Sequence, residues 1–203
     1  LLRKLKPTSV DDIIALISLY RPGPMGAGML DDFVARKHKR VKIVYDHPLL
    51  ESVLKDTYGI IVYQEHVMRI AQVLGGFTPG QADSLRRAMS KKIPEEIAKV
   101  EDDFISGCKK NSIDTKTAKK VFDQILHFAG YGFNKSHAAA YALLAYETAY
   151  LKANFTIEFM TALINSEIGR TTKKEEDNKI VTYLKECENY GIKILPPSVN
   201  RSE

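Results

Sequence analysis

The 203-residue sequence has no tryptophan, only two cysteines, and no uninterrupted apolar stretch near the roughly 18 residues that a membrane-spanning helix requires. Cys108 and Cys187 lie far apart without CxxC or Cys/His spacing, which argues against a disulfide framework or a zinc module and leaves both as buried small hydrophobes. The opening residues, Leu1 to Pro7, lack the apolar run of a signal peptide, so the expected compartment is cytoplasmic. The five histidines show no HxxxH-type spacing, and no serine, histidine and acid set suggests a triad. An initiating methionine is also missing and the end, Ser198 to Glu203, is polar. The chain therefore has the look of a segment of a longer polypeptide, in which missing chemistry lies elsewhere.

What is present is an ordinary globular composition, 44% apolar and 27% charged, enough to bury a core and to exclude general disorder. Thirty Lys+Arg against 25 Asp+Glu leave a net charge of +5, an excess that permits an anionic partner without demanding one. Distribution says more than the sum. Basic residues cluster at Arg36-Lys37-His38-Lys39-Arg40, at Arg86, Arg87, Lys91 and Lys92, and around Lys135, whereas acids are scattered singly or in helix-start pairs. Clustering of this kind is what a phosphate-binding surface needs.

Helical periodicity dominates. Thr8 or Ser9 can cap a helix to Tyr20 with Val10, Ile13, Leu16, Ile17 and Tyr20 on one face, stopped by Arg21-Pro22-Gly23-Pro24. A short helix follows through Met29, Leu30, Phe33 and Val34. Asp46 is placed to cap the next, with Leu49, Leu50, Val53 and Leu54 inward. Gly59 to Tyr63 is the only convincing extended run in this half. Further helices are expected over Gln64 to Leu74, ended by Gly75-Gly76, then from Thr78-Pro79, from Pro94 and from Asp114. Ser136 is placed to cap a long helix to about Asn154, in which Ala138, Ala139, Ala140, Ala142, Ala145 and Ala149 permit close packing. Thr156 restarts a shorter one. Gly169 to Asn178 is almost wholly polar and sets an expected boundary near residue 170.

Among the motifs, the paired carboxylates Asp11-Asp12, Asp31-Asp32, Glu95-Glu96 and Asp102-Asp103 are read as solvated, since adjacent helical residues point about 100° apart and most of these pairs sit in first turns where acids favour the dipole. Gly130-Tyr131-Gly132-Phe133-Asn134-Lys135-Ser136 is not a Walker motif, because Asn134 takes the place of the glycine before Lys-Ser and a helix precedes it. Phosphate recognition remains. Arg87 and Lys91 stand four apart on one helix face, flanked by Arg86 and Lys92; the alternative is a solvated face on which Asp83 pairs with Arg87. Lys135 lies at a helix N-terminus, where an anion is favoured, against ordinary capping by Ser136. The run Arg36 to Arg40 is read either as a contact to nucleic-acid backbone or as a helix-end charge run. Tyr131, Phe133 and Tyr141 are stacking candidates or core.

Four segments carry a resemblance: Tyr20-Arg21-Pro22-Gly23-Pro24-Met25, Tyr58-Gly59-Ile60-Ile61-Val62-Tyr63-Gln64-Glu65, Leu85-Arg86-Arg87-Ala88-Met89-Ser90-Lys91-Lys92, and Phe128 through Tyr141 with its Gly130-Tyr131-Gly132-Phe133-Asn134-Lys135-Ser136-His137 core. In this order they resemble the fingers region of bacterial family C replicative DNA polymerases, over nearly the whole chain. Gly191 to Asn200 resembles the start of the family's helix-hairpin-helix DNA-binding region. Ser90 stands where the family pattern has glycine, and Pro79-Gly80 departs from its usual loop.

The resemblance implies an all-α fold: a multi-helix fingers domain over 1–170 with one short extended segment, then a polar linker and the start of a helix-hairpin-helix module over 171–203. It implies template-directed DNA synthesis, with Mg²⁺ held by palm aspartates outside this chain, so the fragment alone is expected to be inactive. Its site residues are then Arg86 and Arg87 on the triphosphate of the incoming dNTP, with Lys91, Lys135 and His137 secondary. His137 either protonates pyrophosphate or serves the helix start. Arg36, Lys37, Lys39, Arg40 and Lys92 are expected on DNA backbone. Implied partners are primer-template DNA, the incoming dNTP and, through other regions, the sliding clamp, proofreading exonuclease and clamp-loader subunits, in a bacterial cytoplasmic replisome at the nucleoid. The competing readings are a stand-alone helical DNA-binding module and a helical protein-interaction scaffold.

Overall fold

Local signals set most helix starts in the computed structural model, which describes residues 1–91, 93–129, 131–169, 179–196 and 198–200. The described α-helices are α1 (Leu2–Leu5), α2 (Val10–Leu19), α3 (Pro22–Gly26), α4 (Met29–Lys37), α5 (Glu51–Leu54), α6 (Gln64–Gly75), α7 (Pro79–Lys91), α8 (Pro94–Lys110), α9 (Thr115–Ala129), α10 (Lys135–Asn154), α11 (Thr156–Asn165) and α12 (Lys179–Asn189). The expected all-α class holds, and no sheet forms among the described residues. The extended run 59–63 makes a single parallel bridge, Tyr63 to Phe133, and Gln64 N–H donates to the Phe133 carbonyl at 3.0 Å.

Several local expectations are corrected. Ser9 does cap α2, but the buried residues are Asp12, Ile14, Ala15, Leu16, Ser18 and Leu19, while Val10 and Tyr20 are exposed. Among them Asp12, Ala15, Leu16 and Leu19 keep the i, i+3, i+4, i+7 spacing with a carboxylate in the lead, so hydrophobicity alone placed the face too far round. Pro22 does not merely stop α2; it opens α3 from the first helical turn, where its missing N–H costs nothing. Asp46 is drawn away to Lys120 and Gln124, and His47 Nδ1 accepts the Leu49 N–H instead, at 3.3 Å. Leu49, expected inward, is exposed. At the start of α10 the cap is Asn134, whose Oδ1 accepts the His137 N–H at 2.8 Å, not Ser136.

The chain divides into two compact units, Leu1–Leu143 and Leu144–Glu203. In the first, one core gathers Leu50 and Leu54 with α6–α9, and a second gathers α1, α2 and α4 with Ile60, Val62, Tyr63, Ala138 and Ala142. Of the alanines in α10, Ala138 and Ala142 are fully buried, whereas Ala140, Ala145 and Ala149 are exposed. In the second unit α11 packs on α12, Met160 and Cys187 are buried, and Lys152 pairs with Glu186. The expected boundary at residue 170 and the linker 171–178 lie outside the described residues.

Within the first unit α6 and α8 meet backbone to backbone. A Cβ on Gly107 would lie 2.8 Å from the Gly75 carbonyl carbon and overlap its oxygen, and Asn111 Nδ2 donates to the Leu74 carbonyl at 2.8 Å. No flexible side chain is available to yield. Gly107→Ala is therefore expected to cost stability at the upper end of the roughly 1–3 kcal/mol typical of overpacking. Urea unfolding checks this, and an unchanged midpoint would refute the close approach.

His66, on α6, is buried with its Nδ1 accepting the Val62 N–H at 3.2 Å. Burial, with the charge of Lys135 adding to it, pushes its pKa down to about 3 from 6.5. Between those values the unfolded chain holds a proton that the folded chain refuses, so stability rises with pH across that window. Unfolding free energy should therefore fall as pH drops from 6.5 toward 5, by up to about 1.4 kcal/mol per pH unit. His66→Gln, which retains an acceptor, should flatten that slope; an equal slope in both proteins would contradict the assignment.

Candidate phosphate-binding surface

Thr78 opens α7 by a reciprocal cap: its Oγ1 accepts the Gln81 N–H at 3.3 Å and Gln81 Oε1 accepts the Thr78 N–H at 2.9 Å. Ala82, Leu85, Ala88 and Met89 bury one face, and Gly76-Phe77-Thr78 turns α7 back along α6. Rigidly seated on that side, α7 turns Arg86 and Arg87 outward. Both converge on one carboxylate: Arg86 Nη2 lies 2.8 Å from Asp83 Oδ1 and Arg87 Nη2 lies 2.6 Å from Asp83 Oδ2. The hydrogen bond from Arg86 and the two guanidinium charges hold the Asp83 carboxyl below its ordinary range. Thus the pairing weighed as the solvated alternative exists, and it extends to Arg86. Arg87 is the more open, at 61% side-chain exposure against 30% for Arg86. Lys91 is exposed at the end of the helix, and Lys92 lies outside the described residues.

The helix start at Lys135 is already supplied with an anion. Both Glu65 oxygens accept the Lys135 N–H, at 3.1 and 3.0 Å, and Oε1 also accepts from Asn134 Nδ2 at 3.0 Å. A carboxylate from α6 thus occupies the place that dipole and free N–H groups favour. Lys135 Nζ sits 5.3 Å over the Tyr63 ring, and His137 is exposed between Phe133 and Tyr141, with ring centroids 5.5 and 4.7 Å away. Spacing gave no sign of Glu65; only its place in the Tyr63-Gln64-Glu65 segment could have drawn attention to it.

The basic run 36–40 is split by the fold. Arg36 Nη1 donates to the Tyr58 and Gly59 carbonyls, each at 3.3 Å. Lys37 Nζ forms an ion pair with Asp12 Oδ2 at 2.7 Å, with side-chain exposures of only 6% and 2%. Asp12, expected to be solvated, is therefore buried, because Thr8, Ser9, Lys37 and Tyr58 all donate to it. Lys39 and Arg40 remain exposed.

The segments singled out in sequence meet here. Arg21 donates to the Tyr131 carbonyl and to the Ser18 carbonyl, and its guanidinium lies 4.6 Å over the Phe133 ring. Gly23 is pressed on Tyr131, where any Cβ would overlap the ring. Tyr131 and Phe133 are thus engaged in packing, while Tyr141 is exposed beside His137. Three of the four segments lock together and the fourth, α7, carries the outward arginines.

A family model described as the bacterial DNA polymerase III alpha subunit finger domain matches residues 1–112. The chain belongs to this family. Relatives named DNA polymerase III subunit alpha extend the similarity over the whole chain: the Pseudomonas aeruginosa protein is 52% identical over 208 residues, covering 100% of this chain, and those of Escherichia coli and Campylobacter jejuni are 50% and 51% identical over 98% of it. The chain spans 16–17% of the length of these curated relatives. In this polymerase III finger domain, no group of three His, Cys, Asp or Glu side chains placed to hold a metal occurs among the described residues. Nor is any described helix long and apolar enough to cross a membrane.

Proposed function

We propose that the chain is the fingers portion of a bacterial replicative polymerase, binding the triphosphate of the incoming dNTP and closing the active site over primer-template DNA. The observation that carries this reading is the arginine pair on α7, held on one carboxylate and facing outward from a helix whose other face is locked in the core. Two pre-positioned guanidiniums can bind phosphate oxygens in bidentate fashion and stabilise charge on the departing pyrophosphate. Asp83 holds them when no phosphate is present and releases part of their charge when one arrives. Lys91 extends the cationic face. Lys135 and His137 act secondarily, since Glu65 and Asn134 already satisfy their backbone.

Mg²⁺ is assigned to palm residues outside this chain, so residues 1–203 alone should give no primer extension. On DNA backbone the reading keeps Lys39, Arg40 and Lys92, while Arg36 and Lys37 serve the fold. Residues 171–203 are read as a linker and the start of a helix-hairpin-helix region. The sliding clamp, proofreading exonuclease and clamp loader engage other parts of the polypeptide, in the bacterial cytoplasm. The test is single-turnover incorporation beside primer-template affinity, at one ionic strength, for Arg86→Ala and Arg87→Ala separately in the full-length subunit. Loss of DNA affinity with normal nucleotide dependence in both would place these arginines on the duplex and overturn the reading.

A further inference from the structure

Arg3, Lys4, Lys6 and Arg40 belong to no ion pair among the described residues, and all four are exposed. They are not scattered. Together with His38, Val34, Ala35 and Asp31 they line one concavity of about 390 Å³ between α1 and the C-terminal end of α4. Its two walls are fastened by His38, whose Nε2 lies 3.1 and 3.0 Å from the Lys4 and Leu5 carbonyls. Both corners are fixed in the left-handed region, Lys6 at φ 48° and Lys39 at φ 57°. Four exposed cations are thus presented around a floor that is itself held in place.

We propose that this basin docks the phosphodiester backbone of nucleic acid. Cations from two chain segments, one acid and only two small apolar side chains suit a repeating anion. They offer neither the apolar wedge that a membrane surface requires nor the side-chain pockets that a peptide requires. The inference rests on the reading of the 36–40 run as DNA-facing. It moves the weight of that contact from Arg36 and Lys37, which the fold consumes, to Arg3, Lys4 and Lys6, which no sequence motif marked.

The test uses the full-length subunit and a fluorescent 20-nucleotide oligo(dT), with inorganic phosphate as competitor. The variant combines Arg3→Gln, Lys4→Gln, Lys6→Gln and Arg40→Gln; the control combines Lys109→Gln, Lys110→Gln, Lys116→Gln and Lys119→Gln, an equal change of charge at exposed positions elsewhere. At about 0.1 M salt the basin variant should bind at least roughly tenfold more weakly, with a salt slope smaller by about two to three units, and the control less than about threefold more weakly. Equal weakening in both, or an unchanged slope in the basin variant, overturns the proposal. So does displacement of the oligonucleotide by sub-millimolar inorganic phosphate, which would make the basin a free-anion site. Matching circular dichroism and melting of the two variants excludes misfolding. Loss of DNA affinity in Arg87→Ala would instead count against the α7 reading and leave the basin standing.

Discussion

Lys37→Ala is expected to destabilise the protein by about 3–5 kcal/mol, the cost of stranding a buried charge, in a fold whose total stability lies in the usual range of roughly 5–15 kcal/mol. The stranded group is Asp12, 2% exposed, whose Oδ2 accepts from Lys37 Nζ and whose Oδ1 accepts from the Tyr58 hydroxyl at 3.0 Å. Burial alone would raise the Asp12 carboxyl, but the hydrogen bonds from Lys37, Thr8 and Tyr58 and the Lys37 charge outweigh it and leave the pKa below 3.8. Burial likewise disfavours the Lys37 ammonium, and Asp12 more than reverses this, raising it above 10.5. The signs fix the pH dependence. The Asp12 contribution is present above pH 3.8 and is lost as pH falls through the depressed value; the Lys37 contribution is present below pH 10.5 and is lost as pH rises through the elevated one. Across neutral pH the pair's contribution is constant. Replacing both partners, Asp12→Asn with Lys37→Met, should cost less than Lys37→Ala alone, since no charge is then left behind and the amide oxygen still accepts from the N-terminal turn. Urea unfolding at pH 7 decides; a Lys37→Ala loss under about 1 kcal/mol would show that water reaches Asp12.

In the full-length subunit, Arg87→Ala should lower nucleotide incorporation efficiency about ten- to a hundredfold, which corresponds to roughly 1.5–3 kcal/mol for one charge-assisted phosphate contact. Primer-template affinity should stay nearly constant. Arg87 is the more exposed arginine and is bound to Asp83 through one nitrogen, so its fork is the one most open to an incoming anion. Lysine at 87 should restore only part of the loss, because a single ammonium cannot reproduce two parallel N–H donors. Asp83→Asn adds a check on the same mechanism. With the Asp83 charge removed, Arg87 should bind triphosphate at least as tightly while being less well positioned, so apparent nucleotide affinity and maximal rate should move in opposite directions. Single-turnover kinetics over a range of dNTP concentrations separates the two. Full rescue by Arg87→Lys would show that charge alone matters there.

The sequence by itself determined the helical class, most helix limits and the family, because these depend on residues a few positions apart: Ser9, Pro79 and Pro94 start helices, and Ala82, Leu85 and Met89 recur at the period of a turn. The Asp83–Arg87 pair was legible for the same reason, being i, i+4 on one helix. Contacts across long separations were not. Glu65 reaches Lys135 across 70 residues, Arg21 reaches Tyr131 across 110, and Asp12 meets Lys37 across 25. No periodicity encodes such meetings, and each bears on an alternative that the local pattern left open: an anion site filled by the chain's own carboxylate, Tyr131 and Phe133 engaged in packing, and a basic run turned half inward. Tertiary structure alone decided which cations stay available, because every helix start, charge run and acid pair competes for the same few partners. Burial settles that competition, by making an unpaired charge in the core far more costly than one left in water.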